Sequence, residues 1–146
     1  MPAAWDYTWD ANLKIWVPRG GVTRATVLNV NNATTDQTSA TLTNPSYKGI
    51  FVGLHVTLAS AGGLILRVSG LLSVTGVPVP QIQLNADPAA VTAVGDYGYL
   101  IYPGVSGVQG GIAQATAAVV PWQFIVTAHH VDANPQTYLV DINYVP

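Results

Sequence analysis

The 146-residue chain contains no cysteine and no glutamate. The absence of cysteine excludes disulfides, iron–sulfur clusters and thiolate zinc sites. The absence of glutamate leaves any carboxylate chemistry to seven aspartates, of which Asp6 and Asp10 are the closest pair in sequence. Glycosidases that use two carboxylates need them about 5 or 9 Å apart in a cleft, whereas this pair lies in an atypical N-terminal segment. The sequence therefore predicts a protein that is not an enzyme.

Charge of either sign is also scarce, because five basic and seven acidic residues make up only 8% of the chain. A typical domain carries about 25% charged residues. Area scaling gives a folded surface of roughly 7,000 Å², so that one charge falls on about 600 Å². Such a surface favours burial against other subunits. A monomer that is solubilised by hydroxyl and amide side chains is the alternative.

Basic clusters and long apolar helices are missing as well. No two basic residues lie closer than five positions apart and the net charge is −2, so we expect no nucleic-acid partner. The uncharged run 49–66 is long enough to suggest a membrane helix, but Ile50, Val52 and Leu54 alternate and Ala61-Gly62-Gly63 interrupts the run. Period two around a glycine turn predicts a β-hairpin instead. We expect no membrane association, and no signal peptide at the opening residues.

What the sequence does contain is alternation of apolar and polar residues with period two, which predicts strands. The predicted strands span 22–30, 39–43, 48–59, 64–72, 81–86, 97–102, 122–129 and 138–145. Asp132-Ala133-Asn134-Pro135 is typical of a hairpin turn between the last two. Residues 113–119 could form one short helix at most. About eight strands without covering helices predict an all-β, antiparallel β-sandwich or a closed barrel; we favour a jelly-roll-like sandwich over residues 21–146.

Residues 1–20 differ from the rest of the chain. Three of the four tryptophans lie here, and Trp5, Tyr7, Trp9 and Trp16 are crowded among prolines and aspartates. Terminal segments fray unless they are tied down, and aromatic rings suit that purpose. We interpret residues 1–20 as an extended N-terminal arm that packs on its own sandwich or on a neighbour. An ordinary first strand with Trp5, Tyr7 and Trp9 on one face is the alternative.

Histidines are the remaining candidates for a metal site. His129 and His130 are adjacent on a predicted strand, so their side chains point to opposite faces and cannot share a metal by themselves. If neighbouring strands brought them together, His129 or His130 could join His55 and Asp141 in a metal site. We expect ordinary polar residues near strand ends, and no metal or cofactor.

Aromatic residues in the second half suggest a possible binding surface. Tyr97, Tyr99, Tyr102 and Trp122 could form a platform of the kind that sugar-binding sandwiches use. Aromatic residues in strands more often belong to the core or to cross-strand pairs, and we favour that interpretation.

Residues 48–145 contain a series of short motifs that is similar to a known group of proteins. The motifs are Lys48-Gly49-Ile50-Phe51-Val52 leading to Val56-Thr57-Leu58-Ala59, then Gly62-Gly63, Tyr102-Pro103-Gly104, Pro121-Trp122-Gln123-Phe124-Ile125-Val126-Thr127, and a final strand from Tyr138 to Tyr144. In this order they resemble the small structural proteins of tailed bacteriophages. The motifs consist of turn and core residues, and the N-terminal segment lies outside the resemblance.

The resemblance implies a head decoration or minor capsid protein. Such a structural virion protein assembles in the bacterial host cytoplasm, binds the outer head surface, often as a homotrimer at three-fold positions, and cements the major capsid protein. Trp5, Tyr7, Trp9 and Trp16 are then the expected interface residues. The alternatives are a phage tail or tail-fibre module and a carbohydrate-binding β-sandwich module.

Overall fold

The computed structural model describes residues 7–10, 15–18, 24–74, 77–105 and 112–146. The strands in these ranges are β1 (Tyr7–Asp10), β2 (Ile15–Pro18), β3 (Arg24–Ala33), β4 (Gln37–Thr38), β5 (Leu42–Thr43), β6 (Gly49–Leu58), β7 (Leu64–Val74), β8 (Val77–Gln83), β9 (Gly95–Ile101), β10 (Gln114–Thr116), β11 (Gln123–His130) and β12 (Gln136–Val145). The described part of the chain has no helix that is long and apolar enough to cross a membrane.

Two five-stranded sheets make up the body of the protein. The first sheet has the strand order β10-β9-β6-β12-β3. In the second sheet, β4 and β5 both pair with β11, which is followed by β7 and β8. The described pairings are antiparallel, except that β10 runs parallel to β9. The prediction of an all-β protein is confirmed.

One hydrophobic core is shared by the two sheets. Along β11, half-buried and buried residues alternate from Gln123 to His130, and β6 buries every second residue from Ile50 to Val56. The buried residues of both sheets belong to a single cluster. Each fully buried Val, Leu or Ile side chain contributes about 1.5–3 kcal/mol. Burial of one face therefore fixes which residues of each strand point inward. Two sheets with one core between them form a sandwich-like arrangement.

The connections after β6 and β11 are not the hairpins that the sequence predicts. Strands β6 and β12 belong to the first sheet, whereas β7 and β11 belong to the second, so both turns cross the core. The two turns are bound to each other. Gly62 N–H donates to Asp132 Oδ2 at 2.7 Å, and Val131 N–H donates to Gly63 O at 3.2 Å. Alternation has the same period in a hairpin and in two strands that face each other across a core, which is why the prediction was wrong.

Residues 113–119 contain strand β10 and not the short helix that composition allowed. Ala113 N–H donates to Gly98 O at 2.7 Å, and Tyr102 N–H donates to Thr116 O at 3.0 Å. These bonds attach a segment of small residues to the edge of β9, and tertiary pairing overrides its weak local preference.

Several of the predicted strands have different limits in the structure. Of the strand predicted at 39–43, only Leu42–Thr43 is a strand (β5), and β4 (Gln37–Thr38) lies before the predicted range. Between β4 and β5, Ser39 stays bonded to β11. The hydroxyl oxygen of Ser39 accepts from Val126 N–H at 3.0 Å, and Ser39 N–H donates to Val126 O at 2.9 Å. Strand β8 begins at Val77 and runs through Pro78 and Pro80, which the sheet accepts because β8 is an edge strand.

The N-terminal segment includes a separate two-stranded antiparallel sheet. Strand β1 pairs with β2, with Trp9 opposite Trp16 and Tyr7 opposite Pro18. Residues 1–6, 11–14 and 19–23 lie outside the described residues, and the extended arm over residues 1–20 stays a prediction.

Candidate functional site

The outer face of the first sheet carries a groove of about 460 Å³. Its middle lies where Gly53 of β6 is opposite both Gly98 of β9 and Asp141 of β12. A Cβ atom at Gly53 would meet nothing within 4 Å, whereas one at Gly98 would lie 2.5 Å from Cζ of Phe51. The missing side chain at Gly53 therefore leaves open space, and the ring of Phe51 covers Gly98. We call this depression the outer groove.

On one side, the outer groove is bordered by an ion pair between β3 and β12. The side chain of Asp141 is 9% exposed and that of Arg24 is 69% exposed. Thr26 Oγ1 donates to Asp141 Oδ1 at 2.7 Å, and Arg24 Nε donates to Asp141 Oδ2 at 3.2 Å. Burial raises the pKa of Asp141, but these hydrogen bonds outweigh it and hold the pKa below its ordinary value. Asp141 is therefore ionised and fixed at neutral pH.

On the other side, the outer groove is bordered by His55 of β6 and Asp96 of β9. Nδ1 of His55 contacts Oδ1 of Asp96, and the two side chains are 54% and 83% exposed. Both side chains retain polar atoms that water or a ligand can reach. This side of the groove thus offers a donor and an acceptor next to each other.

The combination of His55, Asp141 and one further histidine that was considered as a metal site is not formed. His55 and Asp141 do line the same groove, but His129 and His130 lie on β11 of the second sheet. Within the ranges that the structure describes, no three His, Asp, Glu or Cys side chains are grouped as metal ligands.

A second polar cluster lies at the end of β11. Nδ1 of His129 is 2.9 Å from Asp36 Oδ2, and the backbone N–H of His130 donates to Asp36 Oδ1 at 2.8 Å. The ring of His130 is buried, with Nε2 3.0 Å from the hydroxyl of Tyr138. Burial lowers the pKa of His130. These contacts confirm that the two histidines point to opposite faces, and they join β11 to β12 and to the loop that contains Asp36.

The segment before β11 presents exposed apolar side chains on a fixed backbone. Val119 is 70% exposed and Trp122 is 65% exposed. Asn44, which is 6% exposed, holds the segment from beneath. Its Nδ2 donates to Val120 O at 3.0 Å, and its backbone N–H donates to Trp122 O at 2.8 Å. We call residues 117–122 the apolar segment.

The aromatic platform considered for sugar binding does not form. Tyr99 is 2% exposed in the core, and burial raises its pKa to about 12. The hydroxyl of Tyr97 donates to Ala93 O at 3.0 Å, and that of Tyr102 donates to Pro146 O at 3.2 Å. Only Trp122 of the four is largely exposed, so the core interpretation holds for Tyr99 and no row of exposed rings remains.

The predicted interface residues belong to the N-terminal segment. Trp5 lies outside the described residues. Tyr7 and Trp9 are in β1, and Trp16 is in β2, where the backbone register brings Trp9 opposite Trp16. Their role in an interface stays a prediction.

The outer groove was missed by the sequence interpretation. Gly53 and Gly98 both occur within strands, where glycine often marks a close approach of a ligand or of another backbone. That signal becomes specific only when the register shows that the two glycines are neighbours.

Comparisons of this chain with protein-family models, with curated proteins and with solved structures found no match.

Proposed function

We propose that the two sheets form a jelly roll. When β4 and β5 are counted as one strand and β10 is set aside, eight strands run from β3 to β12. The first pairs with the eighth, the second with the seventh, the third with the sixth and the fourth with the fifth. All four pairings are antiparallel. Four nested pairs of this kind correspond to a long hairpin wound around a core, which is the arrangement of the jelly roll.

We propose that the protein is a bacteriophage capsid decoration protein that binds the outer head surface and stabilises the shell. Jelly rolls are used by viral capsid proteins and by lectins, so the fold agrees with this role without selecting it. The motifs within residues 48–145 lie on β6, β9, β11 and β12 and on the turns next to them. They belong to strands of both sheets, while β3, β4 and β5 lie outside the resemblance.

The observation that carries the proposal is that many of the few charges in the described residues contact an oppositely charged group or a histidine. Arg24 pairs with Asp141 and Arg67 pairs with Asp87, while two further aspartates contact histidines. Paired surface ions hydrate the surface less than free ones, and Trp122 adds exposed apolar area. A surface of this kind is stabilised when other subunits cover it.

Two surfaces are proposed for these contacts. The N-terminal aromatic residues Trp5, Tyr7, Trp9 and Trp16 would anchor each copy to the major capsid protein or to a neighbouring copy. The apolar segment 117–122 would add buried apolar area, at about 25 cal/mol per Å² before ordering costs. The resulting assembly is a homo-oligomer, with a trimer as the form that the phage resemblance implies.

Immunogold labelling of particles from the phage that encodes this chain tests the location. Gold over the head surface supports decoration, and gold on the tail supports the tail or tail-fibre alternative. Particles without gold, from lysates in which the protein is detected by immunoblot, would contradict a virion role.

Deletion of residues 1–18 tests the proposed anchors separately. The expected result is loss of binding to heads from which the decoration layer has been removed, while the truncated body keeps its thermal unfolding midpoint. Undiminished binding of the truncated protein would contradict the role of the N-terminal residues.

A further inference from the structure

The outer groove has the volume of a small-molecule site. Its volume of about 460 Å³ lies within the roughly 300–1,000 Å³ of known ligand pockets. It exists because Gly53 of β6, which lies beside Gly98 of β9, has no side chain, and a Cβ atom there would meet nothing within 4 Å. The depression therefore belongs to the rigid sheet and does not depend on a loop.

The lining of the outer groove is partly apolar. The ring of Phe51 lies over Gly98, and Leu139 of β12 also lines the groove. Both side chains are half-buried, so each keeps some apolar surface that a ligand can cover. A ligand with an apolar face would displace water from this part of the groove.

Each side of the outer groove holds one acid next to one base. Asp141 is paired with Arg24, and Asp96 is paired with His55. At the Arg24–Asp141 pair, a ligand with a net charge would meet a like charge as well as an opposite one. A hydroxyl group both donates and accepts, so it can bond to the aspartate and to the base at once. The groove therefore suits a neutral ligand that carries hydroxyl groups at both ends.

The carboxylate that positions Arg24 is fixed before a ligand arrives. Asp141 is nine-tenths buried and held by Thr26 and Arg24, and the exposed atoms of Arg24, His55 and Asp96 surround the opening. A fixed Asp141 reduces the cost of ordering Arg24 when a ligand binds.

We propose that the outer groove binds a neutral saccharide. A sugar ring combines an apolar C–H face, which would lie against Phe51 and Leu139, with hydroxyl groups that would bond to Asp96 and His55 on one side and Arg24 on the other. This inference goes beyond the decoration role and does not depend on it, because the groove and the N-terminal residues are separate parts of the chain.

Chemical-shift mapping of the full-length protein by NMR tests the site. The probes are glucose, galactose, mannose, rhamnose and N-acetylglucosamine with their common disaccharides, each at millimolar concentration. Glucuronic acid and glucosamine serve as charged counterparts. At least one neutral sugar is expected to shift the backbone amide signals of Gly53 and Gly98, and its charged counterpart is expected to bind at least tenfold more weakly.

Gly53→Leu provides the matched variant, because a side chain at this position enters open space and fills the groove. We expect it to weaken sugar binding at least tenfold while the thermal unfolding midpoint is kept. Ser69→Leu, which adds the same side chain to a half-buried position of β7 in the second sheet, is expected to change the affinity less than twofold. Phe51→Ala is expected to weaken binding about tenfold through loss of the apolar surface.

Three results would each overturn the proposal. The first is that no neutral sugar in the panel shifts signals from the groove. The second is that a charged counterpart binds as tightly as the neutral sugar. The third is that Gly53→Leu binds the sugar as the unmodified protein does.

Discussion

Replacement of Asn85 by alanine is expected to destabilise the second sheet strongly. Strand β8 ends at Gln83, and the side chain of Asn85 continues the pairing with β7 beyond that point. Its Oδ1 accepts from Val68 N–H at 2.8 Å, and its Nδ2 donates to Leu66 O at 3.0 Å. Asn85 is 2% exposed, so water cannot replace either bond in the folded protein.

The expected loss follows from the two backbone groups that Asn85→Ala leaves unpaired. A buried donor or acceptor without a partner costs about 1–3 kcal/mol, so the free energy of unfolding should fall by about 2–6 kcal/mol. At about 3 °C per kcal/mol for a domain of this size, the unfolding midpoint should fall by about 6–18 °C. Such a loss is a large part of the 5–15 kcal/mol that typically holds a domain together.

Urea unfolding at one fixed protein concentration measures this loss, because unfolding of an assembled protein depends on concentration. Asn29→Ala is the control, since Asn29 is exposed on β3 and its replacement should change the free energy of unfolding by less than about 0.5 kcal/mol. An Asn85→Ala variant that is as stable as the control would refute the claim that this side chain completes the ladder of β7.

Further predictions concern the backbone and the pH dependence of stability. Gly63→Ala should lower the free energy of unfolding by about 2–4 kcal/mol in urea, because Gly63 has a φ of +77° and a Cβ there would lie 2.4 Å from a backbone oxygen. The methyl group of Gly53→Ala enters open space, so this variant should change the free energy of unfolding by less than about 0.5 kcal/mol. If Gly63→Ala and Gly53→Ala changed the free energy of unfolding equally, this reasoning would be contradicted. The hydrogen bonds from Arg67 lower the pKa of Asp87 to about 2 in the folded protein. As the pH falls below 4, Asp87 is therefore protonated in the unfolded chain before it is protonated in the folded one. The stabilisation that the ionised Asp87 gives above pH 4 is lost as the pH falls toward 2. The pH profile of thermal unfolding should therefore be flatter in this window for Asp87→Asn. Burial raises the pKa of Tyr99 to about 12, so stability present below pH 10 should fall between pH 10 and 12. Tyr99→Phe should remove part of that fall, and an unchanged alkaline profile would contradict it.

The strands themselves could be predicted because burial of one face imposes period two on the sequence. The predicted segments 48–59, 64–72, 122–129 and 138–145 correspond to β6, β7, β11 and β12 within two residues at each end. In each of them, an apolar side chain recurs at every second position over most of the segment, and the structure buries that set. This part of the fold is decided locally.

Strand pairing could not be predicted in the same way. The turn at Ala61-Gly62-Gly63 has the glycine content of a hairpin turn, yet it carries the chain from one sheet to the other. Whether two alternating strands pair side by side or face each other depends on contacts such as that between Gly62 and Asp132, which are 70 residues apart. Such contacts leave no mark on the local sequence pattern.

The candidate site was the least accessible to sequence reasoning. His55 and Asp141 were considered together as metal ligands, and the structure does place them in one groove. Their partners, however, are Asp96 and Arg24, from strands that lie far away in sequence. An ion pair across neighbouring strands depends on register, and register is known only once the sheet order is known.

Sedimentation equilibrium of the full-length protein tests the central claim, that this charge-poor sandwich is built to be covered by other subunits. The account predicts a mass above the 15.3 kDa of one chain, rising with concentration toward that of a closed homo-oligomer. A mass of one chain over the whole range from micromolar to near-millimolar concentration would contradict it.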